Sequence, residues 1–131
     1  MKACTFCARP ATYGPFHGET ACAPCARRIA EAARKGDREV WAAGKNPEES
    51  LHKFEASVSA QLPTDGAESY LQIAEAYRQM NFYEQSVRAA GTALAAAQKA
   101  KVIEASLVLL LTPPLLRTNG LKALKKLVLA S

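Results

Sequence analysis

Four cysteines fall within the first 25 of 131 residues, and the remaining 106 hold none. Their pattern is Cys4-x2-Cys7, fourteen intervening residues, then Cys22-x2-Cys25. Two residues between cysteines make a tight knuckle, so both sulfurs can turn to one ion. Two knuckles supply the four ligands of a closed tetrahedral site. A disulfide-stapled secreted fold would spread its cysteines along the chain. Clustered here, they mark one short segment that needs help to fold. Met1-Lys2 leads straight into Cys4 with no apolar run behind the charge, so no secretory signal is visible. The expectation is a cytoplasmic, reducing setting in which such cysteines bind metal. Zinc suits thiolate ligands without redox demands; iron is the alternative. A redox reading of the two Cys-x-x-Cys pairs is weaker, because no βαβ pattern surrounds them. The expected cofactor is one structural Zn2+ per chain, held by Cys4, Cys7, Cys22 and Cys25. His17 is a possible fifth ligand, but four sulfurs already fill the shell.

Between the knuckles, Tyr13-Gly14-Pro15-Phe16 and His17-Gly18 combine aromatics with turn residues and predict a short β-hairpin. After the second knuckle, Ala26 to Arg34 has a helical pattern. Knuckle, hairpin, knuckle, helix is the order of a treble-clef finger. Lys35-Gly36-Asp37 ends that helix. Trp41, the one tryptophan, either plugs the finger onto the helical part of the chain or touches a partner, since tryptophan is enriched at interfaces. Residues 1–45 are thus expected to form the C4 module with its connector, and 46–131 a helical domain that needs no metal.

Residues 4–34 resemble the ClpX-type C4 zinc-binding domain. The likeness rests on Cys4-Thr-Phe-Cys7, on Gly14-Pro15 in the loop, and on Cys22-Ala-Pro-Cys25 opening a helix to Ile29. The loop between the knuckles is shorter than in that family. The resemblance covers about a quarter of the chain. It implies a treble-clef fold, the same four zinc ligands, and a module that dimerises or binds proteins.

Asn46-Pro47-Glu48-Glu49 predicts a helix start with Asn46 as cap. The stripe of that helix would be Leu51, Phe54, Val58 and Leu62. Leu62-Pro63-Thr64-Asp65-Gly66 then breaks the chain. Helices follow over Ala67–Met80 and from Tyr83 to about Lys99, the second with Val87, Ala90, Leu94 and Ala97 as its stripe. This pair resembles a tetratricopeptide repeat through Tyr70, Ile73-Ala74, Tyr77, Tyr83, Ser86, Ala90, Ala93 and Leu94. Asn81 stands at the usual glycine. The resemblance implies that Ala74 and Ala93 let two helices approach closely, with Tyr77 and Tyr83 filling the wedge. A concave face would carry Leu71, Glu75, Arg78 and Gln79. Helices over Lys101–Leu111 and Asn119–Ala130 would form a second, degenerate unit; Pro113-Pro114 separates them. Repeat arrays usually need about three units, so either the helix from Pro47 substitutes for one or the chain dimerises.

The fold class expected is mainly α: a small treble-clef C4 finger joined to a repeat-like helical bundle. Val108-Leu109-Leu110-Leu111 has no polar face, which suits burial on both sides or, through Leu109, pairing with another chain. No apolar run reaches the roughly 20 residues that a membrane span needs. No nucleophile–base spacing and no phosphate-loop signature occurs, so neither an enzyme nor a small-molecule substrate is expected. The net charge of +5 is uneven: +4 over residues 1–45, −3 over 46–100 and +4 over 101–131. The leading expectation is a zinc-binding adaptor or scaffold with protein partners, contacted through Trp41, Leu71, Glu75, Arg78, Gln79 and Leu109. A homodimer tied by the finger is a further possibility. The alternative is a nucleic-acid-binding finger using Arg9, Arg27, Arg28, Arg34 and Lys35. That segment has neither interleaved exposed aromatics nor a dedicated recognition helix. The Lys122, Lys125 and Lys126 cluster reads as a solvated face.

Overall fold

A computed structural model describes residues 2–61 and 66–130. The order is β1 (Tyr13–Phe16), β2 (Glu19–Ala21), α1 (Ala23–Lys35), α2 (Glu49–Gln61), α3 (Ala67–Gln79), α4 (Tyr83–Ala96), α5 (Ala100–Leu110) and α6 (Gly120–Ala130). The protein is mainly helical. Its two strands form an antiparallel hairpin pairing Tyr13 with Ala21 and Phe16 with Glu19. Gly14-Pro15 is cis. Among the described residues, no helix is long and apolar enough to cross a membrane.

α1 begins inside the second knuckle. Cys22 is its extended N-cap and Pro24 lies in the first turn, where a missing N–H costs nothing. It ends at Gly36, whose φ of 65° is the left-handed conformation that glycine adopts without a Cβ penalty. The Gly36 N–H donates to Ala33 O at 3.1 Å.

α4 lies at the centre, against α1, α3 and α5. Its sequence explains this position. Ala89, Ala90, Gly91 and Ala93 are all buried, so neighbours can approach on more than one side. The single stripe expected for α4 is too narrow, because α1 covers a second face. A Cβ on Gly91 would lie 2.7 Å from Ala33 Cβ, 2.9 Å from Arg34 N and 3.0 Å from Ala30 O. Only glycine leaves room for α1 there.

On its other side, α4 meets α3 around Ala74, which is fully buried. Ser86 Oγ crosses the gap and donates to Ala74 O at 2.8 Å. Ser86→Ala removes this buried bond, while Ala74 O keeps its partner within α3. We expect a loss of about 1 kcal/mol in a urea unfolding experiment, with unchanged m. The wedge between these helices is filled by Tyr77 and Phe82, not Tyr83. Their rings meet edge to face, with centroids 6.2 Å apart. Tyr83 is half-buried and donates its hydroxyl to Asn81 Oδ1 at 2.8 Å. Asn81 has φ 65°, so the turn needs a residue that tolerates the left-handed region; asparagine does.

α2 starts at Glu49, later than the Asn46 cap implied, and the first helical N–H bonds go to Glu48 O. Among the described residues it makes no broad contact with another element, and Leu51 is its one apolar residue packed against the core. Phe54 is 53% exposed, so the expected inward stripe is not formed at that position. Leu62 to Asp65, and the side chain of Val58, lie outside the described residues.

The connector after α1 is tied down rather than free. Ala42 N donates to Leu115 O at 2.8 Å, Arg117 N donates to Val40 O at 3.2 Å, and Trp41 bridges Leu116. One buried cluster runs from Cys4 and Phe6 through Ile29, Val40, Trp41, Tyr77 and Leu107 to Val128. It crosses the expected boundary near residue 45.

Candidate metal centre and helix groove

The two knuckles bring Cys4, Cys7, Cys22 and Cys25 together, with all four Sγ atoms within 4.8 Å of one another. A tetrahedral ion with metal–sulfur bonds of about 2.3 Å needs sulfurs about 3.8 Å apart. Cys7 and Cys22 Sγ stand at 3.4 Å. The donor set and its spacing fit one metal ion.

Local backbone explains the arrangement. Ala8 takes φ 64°, which curls the first knuckle and lets Ala8 N donate to Cys4 O at 3.0 Å. Phe6 N and Cys22 N donate to Cys4 Sγ at 3.4 and 3.3 Å. Such N–H donors favour the thiolate form a metal requires. The hairpin clasps the first knuckle through Thr20, a residue that sequence reasoning missed. Thr20 Oγ1 donates to Ala3 O at 2.6 Å, and Thr20 N donates to Thr5 Oγ1 at 3.0 Å. Its signal was thin: a β-branched polar residue two before a cysteine.

The thiols differ in acidity. A hydrogen bond with the Arg9 backbone, assisted by the other cysteines, brings Cys7 down to about 7 against the effect of burial. Burial pushes Cys25 and Cys22 up. Cys7 is also half-buried, whereas Cys4, Cys22 and Cys25 are buried.

His17, at the hairpin turn with φ 51°, is exposed and lies outside the cysteine cluster. Its Nε2 is 3.3 Å from Thr112 Oγ1 at the end of α5. His17 and Thr112 close one end of a groove of about 420 Å³ between α3 and α5. Leu71, Ala105, Val108 and Leu109 line it, with Glu75 and Arg78 at the side. Arg78 donates to both Glu75 oxygens, with Nε–Oε2 at 3.2 Å. The guanidinium holds the Glu75 carboxyl below its usual range, and that carboxylate raises Arg78.

Of the expected contact residues, the groove gathers Leu71, Glu75, Arg78 and Leu109. Gln79 is exposed but does not line it. Two of these expectations need correction. Leu109 is only 5% exposed and packs into the core, so Val108, at 39%, is the exposed apolar point of α5. Trp41 is 3% exposed, buried beneath the α5–α6 loop, and offers no surface to a partner. Val108 was missed because its four-residue apolar run shows no periodicity from which to read its direction. Arg9, Arg27, Arg28, Arg34 and Lys35 are all exposed; Arg9 sits just past Cys7 and the other four on α1. Comparison with known protein families, with curated proteins and with solved structures found no match to this chain.

Proposed function

We propose that this chain is a non-enzymatic, zinc-dependent protein-binding adaptor. Zinc held by the four cysteines would order the hairpin and α1, and the α3–α5 groove would receive a partner segment. The observation that carries the reading is the groove's construction. Its apolar floor comes from two helices, and its end comes from His17 on the hairpin that the cysteines anchor. Metal binding and partner binding are therefore linked through the hairpin. The treble-clef and tetratricopeptide-like descriptions belong to this reading. They are supported by the order knuckle, hairpin, knuckle, helix and by the close α3–α4 pair around Ala74 and Ala93. Four sulfurs fill the coordination shell, which favours a structural over a catalytic ion.

The test is affinity capture of native partners on the zinc-loaded protein, against Val108→Glu and against Lys126→Glu, an exposed position on α6 that does not line the groove. A charge at Val108, in the apolar floor, should reduce recovery of a specific partner at least tenfold, while Lys126→Glu leaves it unchanged. Equal recovery on all three would contradict the groove reading. Size in solution, with and without a chelator, decides whether the finger instead ties a homodimer.

A further inference from the structure

A second groove, of about 600 Å³, lies between α1 and the junction of α4 with α5. Its floor is apolar, with Ala26, Ala30 and Leu94 all buried, and half-buried Tyr13 and Ile103 flank it. Arg27 and Glu31 line the α1 wall. Glu31 also lies 3.7 Å from Arg34 and 3.8 Å from Lys35, so its charge is already offset, and these four groups together carry +2. The facing wall, with Ala95, Ala97 and Gln98, adds no charge. The groove therefore asks for an occupant that is apolar at its centre and acidic around it.

α2 has that chemistry. Phe54 is 53% exposed, and a helix of 13 residues is marginal in water without a packed apolar face. Residues 46–61 contain three glutamates and one lysine, a net −2. Within one chain, α2 is rooted at the wrong end of α4. Lys45 N donates to Asn81 O at 3.3 Å, just before α4 begins, and Leu51 packs against the core. The groove meets the last turn of α4, about 20 Å away along a 14-residue helix, and the chain's own Phe54 does not line it.

We propose that α2 of each chain lies across the α1 groove of a second copy, so that two chains form a closed, reciprocal pair. Phe54 enters the apolar floor beside Tyr13, where two rings pack edge to face or offset. The acidic helix then lies against the basic α1 wall. The α3–α5 groove offers no such match: Arg78 donates to both Glu75 oxygens there, so its charges cancel and nothing selects an acidic helix. Reciprocal exchange uses the same contact twice, as two-fold symmetry requires. It leaves the α3–α5 groove unoccupied.

The test uses the zinc-loaded full chain, with mass read by light scattering at about 100 µM, far above a micromolar dissociation constant. The expected mass is that of two chains. Phe54→Glu, and separately Arg27→Glu, should each weaken pairing about tenfold or more, since each spoils one side of the match. Both positions are exposed, and unchanged circular dichroism and zinc content keep the comparison valid. A benzophenone amino acid in place of Phe54 locates the seat. Mixed with isotope-labelled parent chain and irradiated, it should cross-link to residues 26–31 or 94–103 of the labelled chain. A mass other than that of two chains, pairing unaffected by either variant, or cross-links confined to α2 or to the α3–α5 groove would overturn the proposal. Phe54 lies outside the cysteine module, so a pair lost in Phe54→Glu with zinc retained is not one tied by the finger alone.

Discussion

Cys22→Ser should release the metal and unfold far more than the finger. Cys22 is both one of the four clustered cysteines that could hold the ion and the N-cap of α1. Three sulfurs leave the tetrahedral shell open, and metal binding in such small modules is folding free energy, about 10–16 kcal/mol for isolated zinc fingers at neutral pH. α1 in turn covers the Gly91 face of α4 with Ala30 and Ala33. Losing α1 would expose α4, the helix that also supports α3 and α5. The far-UV helical signal should therefore fall by more than the 13 residues of α1 can account for, and an excess of a strong chelator should do the same to the parent protein. A decrease confined to 13 residues' worth would mean that the bundle folds alone and that the shared core contributes little. Acid should act in the same direction. Metal binding needs all four thiols deprotonated, so affinity falls as pH falls and protons compete for sulfur. The buried thiols, Cys25 above all, hold their protons most firmly without the ion.

The second large effect is expected at Gly91. In Gly91→Val the new Cβ meets the backbone of α1, namely Arg34 N at 2.9 Å and Ala30 O at 3.0 Å, besides Ala33 Cβ at 2.7 Å. Backbone has no rotamer through which to yield. Overpacking costs about 1–3 kcal/mol where side chains can adjust, and here two helices must separate, so we expect about 3 kcal/mol or more in urea unfolding. The gain in helix propensity from replacing glycine, at most about 1 kcal/mol, opposes this and does not offset it. A variant within 0.5 kcal/mol of the parent would show that α1 and α4 are not in close contact in solution. Because Gly91 touches no cysteine, metal content at low denaturant should stay at the parental level, which separates this effect from that of Cys22→Ser.

The metal site was the most legible part of the sequence. Two Cys-x2-Cys pairs leave few geometries, and turn residues between them give the hairpin. Helix existence was also readable from apolar periodicity, with ends off by one to three residues, as at Ala96 and Glu49 where no capping side chain marks the boundary. What one sequence could not display was the packing of its distant parts against each other. The fit of Gly91 against Ala33 depends on tertiary approach, and an isolated glycine in a helical pattern signals only that some packing reason exists. The same limit explains Trp41, whose burial needs Leu115 and Leu116 from a loop more than seventy residues away. It explains Phe82 as well: the repeat likeness pointed to Tyr83 for the wedge, but the left-handed Asn81 rotates the following residue inward. The groove was half legible, since the repeat likeness pointed to Leu71, Glu75 and Arg78 on α3 whereas the apolar run of α5 showed no periodicity.

The central claim is that four cysteines hold one zinc ion on which the folded chain depends. The direct measurement is elemental analysis of reduced, gently purified protein, combined with a thiol count before and after denaturation. The account predicts one zinc per chain, little iron, and four thiols that resist modification until metal is released. Zinc near zero in a protein that is nonetheless folded, or four thiols freely reactive in the native state, would contradict it.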